Sequence, residues 1–214
     1  MALHNSLRNR LLIAGFGPFP GVARNPSEVL ARRVAASPRW KRLGVEATPL
    51  ILPTTYAAIE SKLAPVLRDA GFDAMLMIGV AGRAKRIRVE QQAGNRVSLF
   101  LPDADQRRPA RATLVPGAAR RRCAVPAGQV LALLRRRGIA AGVSMDGGRY
   151  LCNASYFEAL ALPLPVLFLH VPRAPGRRPM RSPRPTASST WDRRISDAFV
   201  DIAVDLIRQS RRRV

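Results

Sequence analysis

The sequence predicts an α/β fold with a mostly parallel central sheet that is covered by helices on both faces. Two observations support this prediction. Short apolar runs bounded by glycine alternate with amphipathic stretches of helical period along the whole chain. The 214 residues, 47% of them hydrophobic, are enough for one domain with a full core. The alternation implies right-handed βαβ crossovers, and we assign residues 1–214 to a single domain.

The first half of the chain contains three predicted strands and two predicted helices. Asn25 at the N-cap, Pro26 at the first helical position and Glu28 at the capping-box position predict the start of the first helix. The predicted elements are a strand at 11–15, this helix to about residue 36, a strand at 45–52, a helix from Thr54 or Thr55 to about residue 70, and a strand at 74–78.

The second half follows the same alternation, with one long interruption. Residues 85–93 alternate weakly, and residues 100–122 predict a long surface loop because they are rich in Asp, Pro and Arg. The further predicted elements are a helix at 129–137 closed by Gly138, a strand at 139–144, a helix at 153–162, a strand at 165–171, a mobile loop at 173–188, an amphipathic helix at 191–209 and a frayed basic tail at 210–214.

The net charge of +22 raises the alternative of a basic nucleic-acid-binding protein. Nearly all of the positive charge is arginine, since the chain has only three lysines. The arginines form scattered clusters without interleaved aromatic residues, so a base-stacking surface is not supported. We therefore expect nonspecific polyanion binding at low salt and keep nucleic-acid binding as a secondary alternative.

Apolar patterning gives no membrane span and no secretory signal. The longest apolar stretch, residues 159–171, is interrupted by Pro163, Pro165 and His170. The N-terminal residues are polar, and the apolar run after them is too short for a signal peptide. We therefore expect a cytoplasmic protein, in which two cysteines do not form a structural disulfide.

Cys152 and His170 are the strongest candidates for a catalytic pair. Cys152 lies where a Gly147-Gly148 loop turns into a predicted helix, and His170 ends the predicted strand that follows. A helix N-terminus and an imidazole both favour the thiolate that attacks a carbonyl. Taken singly, each residue has a simpler interpretation, namely an inert buried thiol and a structural histidine. Cys123 has no histidine near it in sequence, and we predict that it is not catalytic.

Two further features leave alternatives open. The loop Gly15-Phe16-Gly17-Pro18-Phe19-Pro20-Gly21 resembles a dinucleotide-binding motif only superficially, because its prolines break the turn into a helix. Phe16 and Phe19 line a small apolar pocket in one interpretation and pack in the core in the other. Glu90 falls on the strand face opposite Ile87 and Val89, which by itself predicts a solvated residue paired with an arginine.

With these motifs in view, the chain resembles the pyroglutamyl-peptidase I (pyrrolidone-carboxylate peptidase) family of cysteine peptidases, over about residues 11–172. The motifs occur in the family's order. They are Gly15–Phe19 with Asn25-Pro26-Ser27; Gly79-Val80-Ala81-Gly82 followed by Ile87, Glu90, Ala93 and Asn95; Leu101-Pro102-Asp103; Ser144, Gly148 and Tyr150-Leu151-Cys152-Asn153; and His170-Val171-Pro172. Leu101-Pro102-Asp103 continues the second motif, and four short motifs in order form a specific signal.

The resemblance implies a fold, an activity and roles for individual residues. It implies a three-layer αβα sandwich and removal of an N-terminal pyroglutamyl residue from peptides with a blocked N-terminus. Cys152 would be the nucleophile, His170 the base and later the acid, and Glu90 the group that orients His170. The residues implied for the ring pocket are Phe16, Phe19, Leu101, Tyr150 and Leu151. The resemblance implies no metal and no organic cofactor, and homo-oligomers such as dimers or tetramers.

The chain departs from the family pattern around the pocket. Val80 stands where the family usually has Gln, Phe100 where it has Arg, and Arg149 where it has a small residue. A site that loses a polar partner can lose discrimination by large factors. The alternative is therefore a protein of this family with altered or lost specificity, acting on another cyclic or N-blocked amide or as a binding module.

Overall fold

The computed structural model describes residues 9–19, 21–69, 71–173 and 187–212. The strands are β1 (Asn9–Phe16), β2 (Val45–Leu52), β3 (Ala74–Ala81), β4 (Ile87–Glu90), β5 (Gln92–Ala93), β6 (Arg121–Arg122), β7 (Ala141–Ser144) and β8 (Val166–Pro172). The helices are α1 (Pro26–Ala35), α2 (Arg39–Leu43), α3 (Ala64–Arg68) directly after a π-helical turn (Ile59–Leu63), α4 (Ala127–Arg136), α5 (Leu151–Ala159) and α6 (Ala187–Arg211). The predicted mobile loop at 173–188 lies largely outside the described residues.

Six strands form the central sheet in the order β2-β1-β3-β8-β4-β7. The first four run parallel, which confirms the predicted mostly parallel sheet. β4 is antiparallel to β8, and β7 is parallel to β4. This reversal follows from chain length, because only residues 82–86 separate β3 from β4, and a parallel return needs a crossover of a dozen or more residues.

Helices cover both faces of the sheet, which confirms the three-layer αβα sandwich. Successive residues of β1 point to opposite faces. Leu11 and Ile13 pack with α1, α4 and α6 on one face, and Leu12 and Ala14 pack with α5 on the other. We call this second side the α5 face. It carries the candidate catalytic residues.

The start of α1 fixes the loop that follows β1. As predicted, Asn25 is the N-cap: its Oδ1 accepts a hydrogen bond from the Ser27 amide at 3.0 Å, and its Nδ2 donates to the Gly17 carbonyl at 2.8 Å. A side chain at Gly15 would lie 2.6 Å from the Ser27 carbonyl oxygen. Close contact between β1 and α1 therefore requires glycine at position 15.

Several helix boundaries differ from the prediction. Helix α5 begins at Leu151, two residues earlier than expected, so Cys152 lies inside its first turn. Helix α6 continues through Arg211, whose Nε donates a hydrogen bond to Asn9 Oδ1 at 3.0 Å. Residues 210 and 211, which the prediction assigned to a frayed tail, are therefore helical. In the described parts of the chain, no helix is long and apolar enough to cross a membrane.

Candidate active site

Cys152 lies in the first turn of α5, where backbone amides have no partner within the helix. The N-cap residue Tyr150 is extended and makes no side-chain capping bond. The following residue, Asn153, fixes the position of the helix. Its Oδ1 accepts from the Gly94 amide at 2.9 Å, and its Nδ2 donates to the carbonyls of Gly94 and Arg96 at 2.8 and 2.9 Å. The helix therefore presents its positive end and the Cys152 thiol together.

Gly79 lets the Cys152 thiol approach the sheet. A Cβ at position 79 would lie 3.0 Å from Cys152 Sγ and 2.7 Å from Cζ of Phe168. In the sheet Gly79 pairs with His170, which in turn pairs with Arg88 on β4. The nucleophile candidate is thus held against the strand pair that carries the imidazole.

His170 and Glu90 are in direct contact, with Nδ1 2.8 Å from Oε1. Their contact follows from the reversed β4, because Glu90 pairs with Phe168 and shares the α5 face with His170. The side chain of Glu90 is fully buried. The prediction of a solvated Glu90 is therefore wrong, although its predicted arginine partner is present.

That partner is Arg88, a residue that the sequence analysis missed. Its Nε is 3.2 Å from Glu90 Oε1, and its Nη2 donates to Ser144 Oγ at 2.6 Å and to the Asp146 carbonyl. Ser144 pairs with Glu90 across β7 and β4. The signal was available in the sequence, since residues two apart on a strand face the same side. Arg88 and His170 thus both contact Oε1 of Glu90.

The surroundings of His170 favour its protonated form. Burial lowers the pKa of His170, but hydrogen bonds with Cys152 and with the Glu90 carboxylate outweigh it and raise the pKa from 6.5 to about 9. Because Nδ1 faces Glu90, the other ring nitrogen is left to exchange a proton with the thiol. The three side chains form a chain of proton-transfer contacts, Cys152 to His170 to Glu90, of the kind that activates a nucleophile.

The predicted pocket residues differ in how much surface they expose. Phe16 and Leu151 are buried in the core of the α5 face, and the Phe16 ring lies 6.2 Å from that of Phe168. Phe19 and Tyr150 are half-buried, and Leu101 is half-exposed. Phe19, Tyr150 and Leu101 are therefore the pocket candidates with surface left to contact a ligand.

A buried aspartate ties the Leu101 loop to Tyr150. Asp103 accepts hydrogen bonds from the amides of Tyr56, Asp105 and Arg107 at 2.9, 3.0 and 2.9 Å. The Tyr150 hydroxyl donates to the Pro102 carbonyl at 2.8 Å. Burial, then Tyr150 and Asp103, raise the pKa of Tyr56 to about 12, so its phenol stays neutral. The hydrogen bond from Tyr150 thereby anchors the Leu101 loop beside the start of α5, because Tyr150 is two residues before Cys152 in sequence.

Comparison with known proteins decides the family. A family model described as pyroglutamyl peptidase matches residues 9–178. The chain belongs to the pyroglutamyl peptidase family. The pyrrolidone-carboxylate peptidase of Streptomyces coelicolor is 32% identical over 177 residues, covering 79% of this chain and 81% of that protein. The corresponding protein of Gloeobacter violaceus is 30% identical over 173 residues, covering 78% and 82%.

The fold agrees with solved structures of the same family. The crystal structure of pyrrolidone carboxyl peptidase from Thermus thermophilus matches with a TM-score of 0.72 and 28% identity, covering 89% of this chain and 98% of that one. The structure from Fervidobacterium islandicum matches with a TM-score of 0.76 and 25% identity, covering 94% and 99%. The similarity to pyroglutamyl peptidases thus extends over nearly the whole chain.

The three departures from the pyroglutamyl peptidase pattern lie in different surroundings. Val80 is half-buried and pairs with Val171 next to the histidine, whereas Arg149 is exposed beside Tyr150. Phe100 is 86% exposed and therefore contributes nothing to a buried wall. Among the described residues, no group of three or more His, Cys, Asp or Glu side chains could hold a metal ion.

Proposed function

We propose that this chain is a cysteine peptidase that removes the N-terminal pyroglutamyl (5-oxoprolyl) residue from peptides. The observation that carries the proposal is the chain of contacts from Cys152 through His170 to the buried Glu90. Membership in the pyroglutamyl peptidase family supports the substrate class. We assign the roles of nucleophile to Cys152, base and acid to His170, and orienting group to Glu90.

The proposed reaction proceeds through a thioester. His170 takes the proton of the Cys152 thiol, and the thiolate attacks the exocyclic acyl carbonyl of the pyroglutamyl residue, forming the C–S bond. His170 then protonates the leaving amine as the C–N bond breaks, so that the shortened peptide departs. A water molecule, deprotonated by His170, attacks the thioester, and pyroglutamate leaves as the thiol is regenerated.

Backbone amides of the first turn of α5 are suited to hold the oxyanion of this reaction. They carry the partial positive charge of the helix start and lie next to the sulfur. Glu90 holds the imidazole by one nitrogen and stabilises the imidazolium that forms when the thiol loses its proton.

The lactam ring would contact Phe19, Tyr150 and Leu101, with Phe16 and Leu151 behind them as part of the core. Val80 offers no polar atom at the position where the sequence comparison expects Gln, and this change supports the second candidate function. That function is hydrolysis of another cyclic or N-blocked amide by the same three residues. Substrate assays separate the two.

The test is hydrolysis of a pyroglutamyl-coupled fluorogenic amide by wild type and Cys152→Ala, with alanyl and prolyl amides as controls. Turnover confined to the pyroglutamyl substrate and lost in Cys152→Ala is the expected result. Absence of turnover on all three, in protein whose Cys152 still reacts with iodoacetamide faster than Cys123, would contradict the pyroglutamyl assignment. It would favour the second candidate function.

Other properties remain predictions of the sequence analysis. These are one domain, a dimer or tetramer, a cytoplasmic location and nonspecific polyanion binding at low salt. Light scattering after size-exclusion chromatography measures the mass of the particle and therefore the oligomeric state. Binding to unrelated nucleic acids that vanishes at physiological salt would show that the polyanion contact is nonspecific.

A further inference from the structure

A basic groove lies beside the catalytic residues at the end of the sheet. Its cavity of about 610 Å³ is formed by β4, the residues just before it, and the edge strand β7. The lining residues are Ala84, Lys85, Arg86, Arg88, Gly142, Val143, Ser144 and Met145. We call this cavity the basic groove. Arg88, which contacts Glu90, is thus also part of its wall.

Two cations of the basic groove, Lys85 and Arg86, are available to bind an anion. Lys85 and Arg86 are exposed, and within the described parts of the chain neither forms an ion pair with a carboxylate. The Arg86 guanidinium lies over Gly142, where a Cβ would be 2.9 Å from its Cζ. Nearby carboxylates are already engaged, since Glu90 is buried against His170 and Arg88, and Asp146 pairs with Arg96 at 2.8 Å. The groove therefore presents uncompensated positive charge.

The order of strands places the basic groove on the leaving-group side of the nucleophile. Neighbouring positions on β3, β8, β4 and β7 are Gly79, His170, Arg88 and Gly142. Phe16 and its loop follow β1, on the other side of β3 from His170. The loop after β1, which carries Phe19, the thiol against Gly79, the imidazole and the groove thus follow one another across the same edge of the sheet.

The distances suit the first residues after the scissile bond. Strands in a sheet are about 4.8 Å apart, so β7 lies about 10 Å from β8. His170 protonates the leaving amine in the proposed reaction, and an extended peptide advances about 3.3 Å per residue. The second or third residue after the scissile bond therefore reaches the basic groove, and a Glu or Asp side chain there meets Arg86 and Lys85.

We propose that the basic groove binds acidic side chains at the second and third residues after the scissile bond. This inference rests on the proposed function and names a preferred substrate class for it, pyroglutamyl peptides with Asp or Glu at these positions. The contact is with exposed cations, so it is screened by salt. It concerns binding of the leaving peptide and adds no step to the chemistry.

The experiment compares three C-terminally amidated peptides, pGlu-Ala-Glu-Glu, pGlu-Ala-Gln-Gln and pGlu-Ala-Lys-Lys. Amidation removes the terminal carboxylate as a second source of negative charge. At low salt we expect kcat/KM for the Glu peptide to be about fivefold higher than for the Gln peptide, with the Lys peptide lowest, because exposed ion pairs contribute modestly. In Lys85→Glu/Arg86→Glu the order reverses.

A matched control separates the groove from the net charge of the protein. Arg135→Glu/Arg136→Glu changes the net charge by the same amount at two exposed arginines of α4, on the other side of the sheet, and should leave the preference for the Glu peptide unchanged. Equal kcat/KM for all three peptides in an active enzyme overturns the groove proposal and leaves the proposed function intact. An equal loss of preference in Arg135→Glu/Arg136→Glu also overturns it, because the preference is then a property of total charge.

A binding measurement keeps the proposal testable without turnover. Fluorescence anisotropy of the same labelled peptides on Cys152→Ala protein should show tighter binding of the Glu peptide, lost in the Lys85→Glu/Arg86→Glu background. If no pyroglutamyl substrate is hydrolysed by wild type, the proposed function fails by itself. Binding of the Glu peptide that is insensitive to Lys85 and Arg86 overturns the groove.

Discussion

The two cysteines of this chain contact the same strand at opposite ends, in surroundings of opposite character. Among the described residues neither thiol forms a disulfide, both are half-buried, and both pack against the core of the α5 face. Cys152 stands at the start of α5 and interacts with the side chain of His170, the fifth residue of β8. Cys123 donates to the carbonyl of Val166, the first residue of β8, at 3.2 Å. Burial alone therefore does not distinguish them.

The difference lies in the charges that each sulfur meets. Four residues of extended strand separate Val166 from His170, about 13 Å. At one end the Cys152 sulfur lies at the positive end of a helix and beside an imidazole. At the other end the Cys123 sulfur donates to the Val166 carbonyl at 3.2 Å and accepts from the Val125 amide at 3.4 Å, with Arg120–Arg122 as its neighbours in sequence. Reactivity thus follows from tertiary position, and sequence neighbours do not determine it.

The largest expected effect is the contrast between removing each thiol. Cys152→Ala should lower kcat/KM for a pyroglutamyl amide at least about 10³-fold, because no other group can form the thioester. Cys123→Ala should change it less than about threefold. Both constants come from initial rates on matched preparations. A loss of only a fewfold in Cys152→Ala would remove the basis for the proposed nucleophile.

Gly79→Ala tests the approach of the Cys152 thiol to the sheet. The new methyl group would meet Sγ at 3.0 Å and the Phe168 ring at 2.7 Å, so the sulfur must move. A displacement of this kind lowers kcat by about 10²-fold when geometry governs catalysis. Gly82→Ala is the matched control, since nothing lies within 4 Å of its Cβ. Unchanged activity in Gly79→Ala, at unchanged alkylation of Cys123, would show that the contact is unimportant.

Glu90→Gln sharpens the comparison by removing the negative charge beside the imidazole of the Cys152 site. The neutral amide can still bond His170, but a charge-assisted hydrogen bond is lost, so we expect kcat to fall about tenfold. The pKa of His170 should also fall from about 9, because the anion that raises it is gone. The measurement is the pH dependence of kcat/KM from pH 6 to 10.

The direction of the expected pKa shift determines on which side of the pH profile activity is lost. The folded-state pKa of His170 is raised above 6.5, so the imidazolium is fully present below that pH and is lost as the pH rises through about 9. In Glu90→Gln the fall of activity on the alkaline side should therefore occur at a lower pH than in wild type. The stability that the buried ion pair contributes should be lost at a lower pH as well. An alkaline limb that stays in place would mean that Glu90 does not control the charge of His170.

The sequence suffices for the features that depend on local pattern. The strand at 45–52 matches β2, Asn25 caps α1 as predicted, and the ends of α5 and β8 lie within three residues of the prediction. Cys152 and His170 can be found because each is one of only two residues of its type and lies at the end of an element. These signals require no knowledge of which strands pair.

Features that depend on strand pairing could not be predicted in the same way. The burial of Glu90 and its contact with Arg88 arise because β4 pairs antiparallel with β8, whose sequence lies about 80 residues away. An isolated strand pattern with alternating charges is equally compatible with a solvated face. The family resemblance identified Glu90, and the spacing of two residues places Arg88 on the same strand face, but the burial of Glu90 against His170 depends on the assembled sheet.

The smallest expected effect concerns Arg88, and its direction distinguishes it from Glu90. Arg88→Gln removes a cation that competes with His170 for Glu90 Oε1. The pKa of His170 should therefore rise, which moves the alkaline limb to higher pH, opposite to the shift in Glu90→Gln. Because the guanidinium is partly exposed, the loss in kcat should stay within about fivefold. Arg88→Lys keeps the positive charge and should leave the alkaline limb of the pH profile unchanged. An alkaline limb that moves to lower pH in Arg88→Gln would mean that the arginine serves only to keep Glu90 ionised.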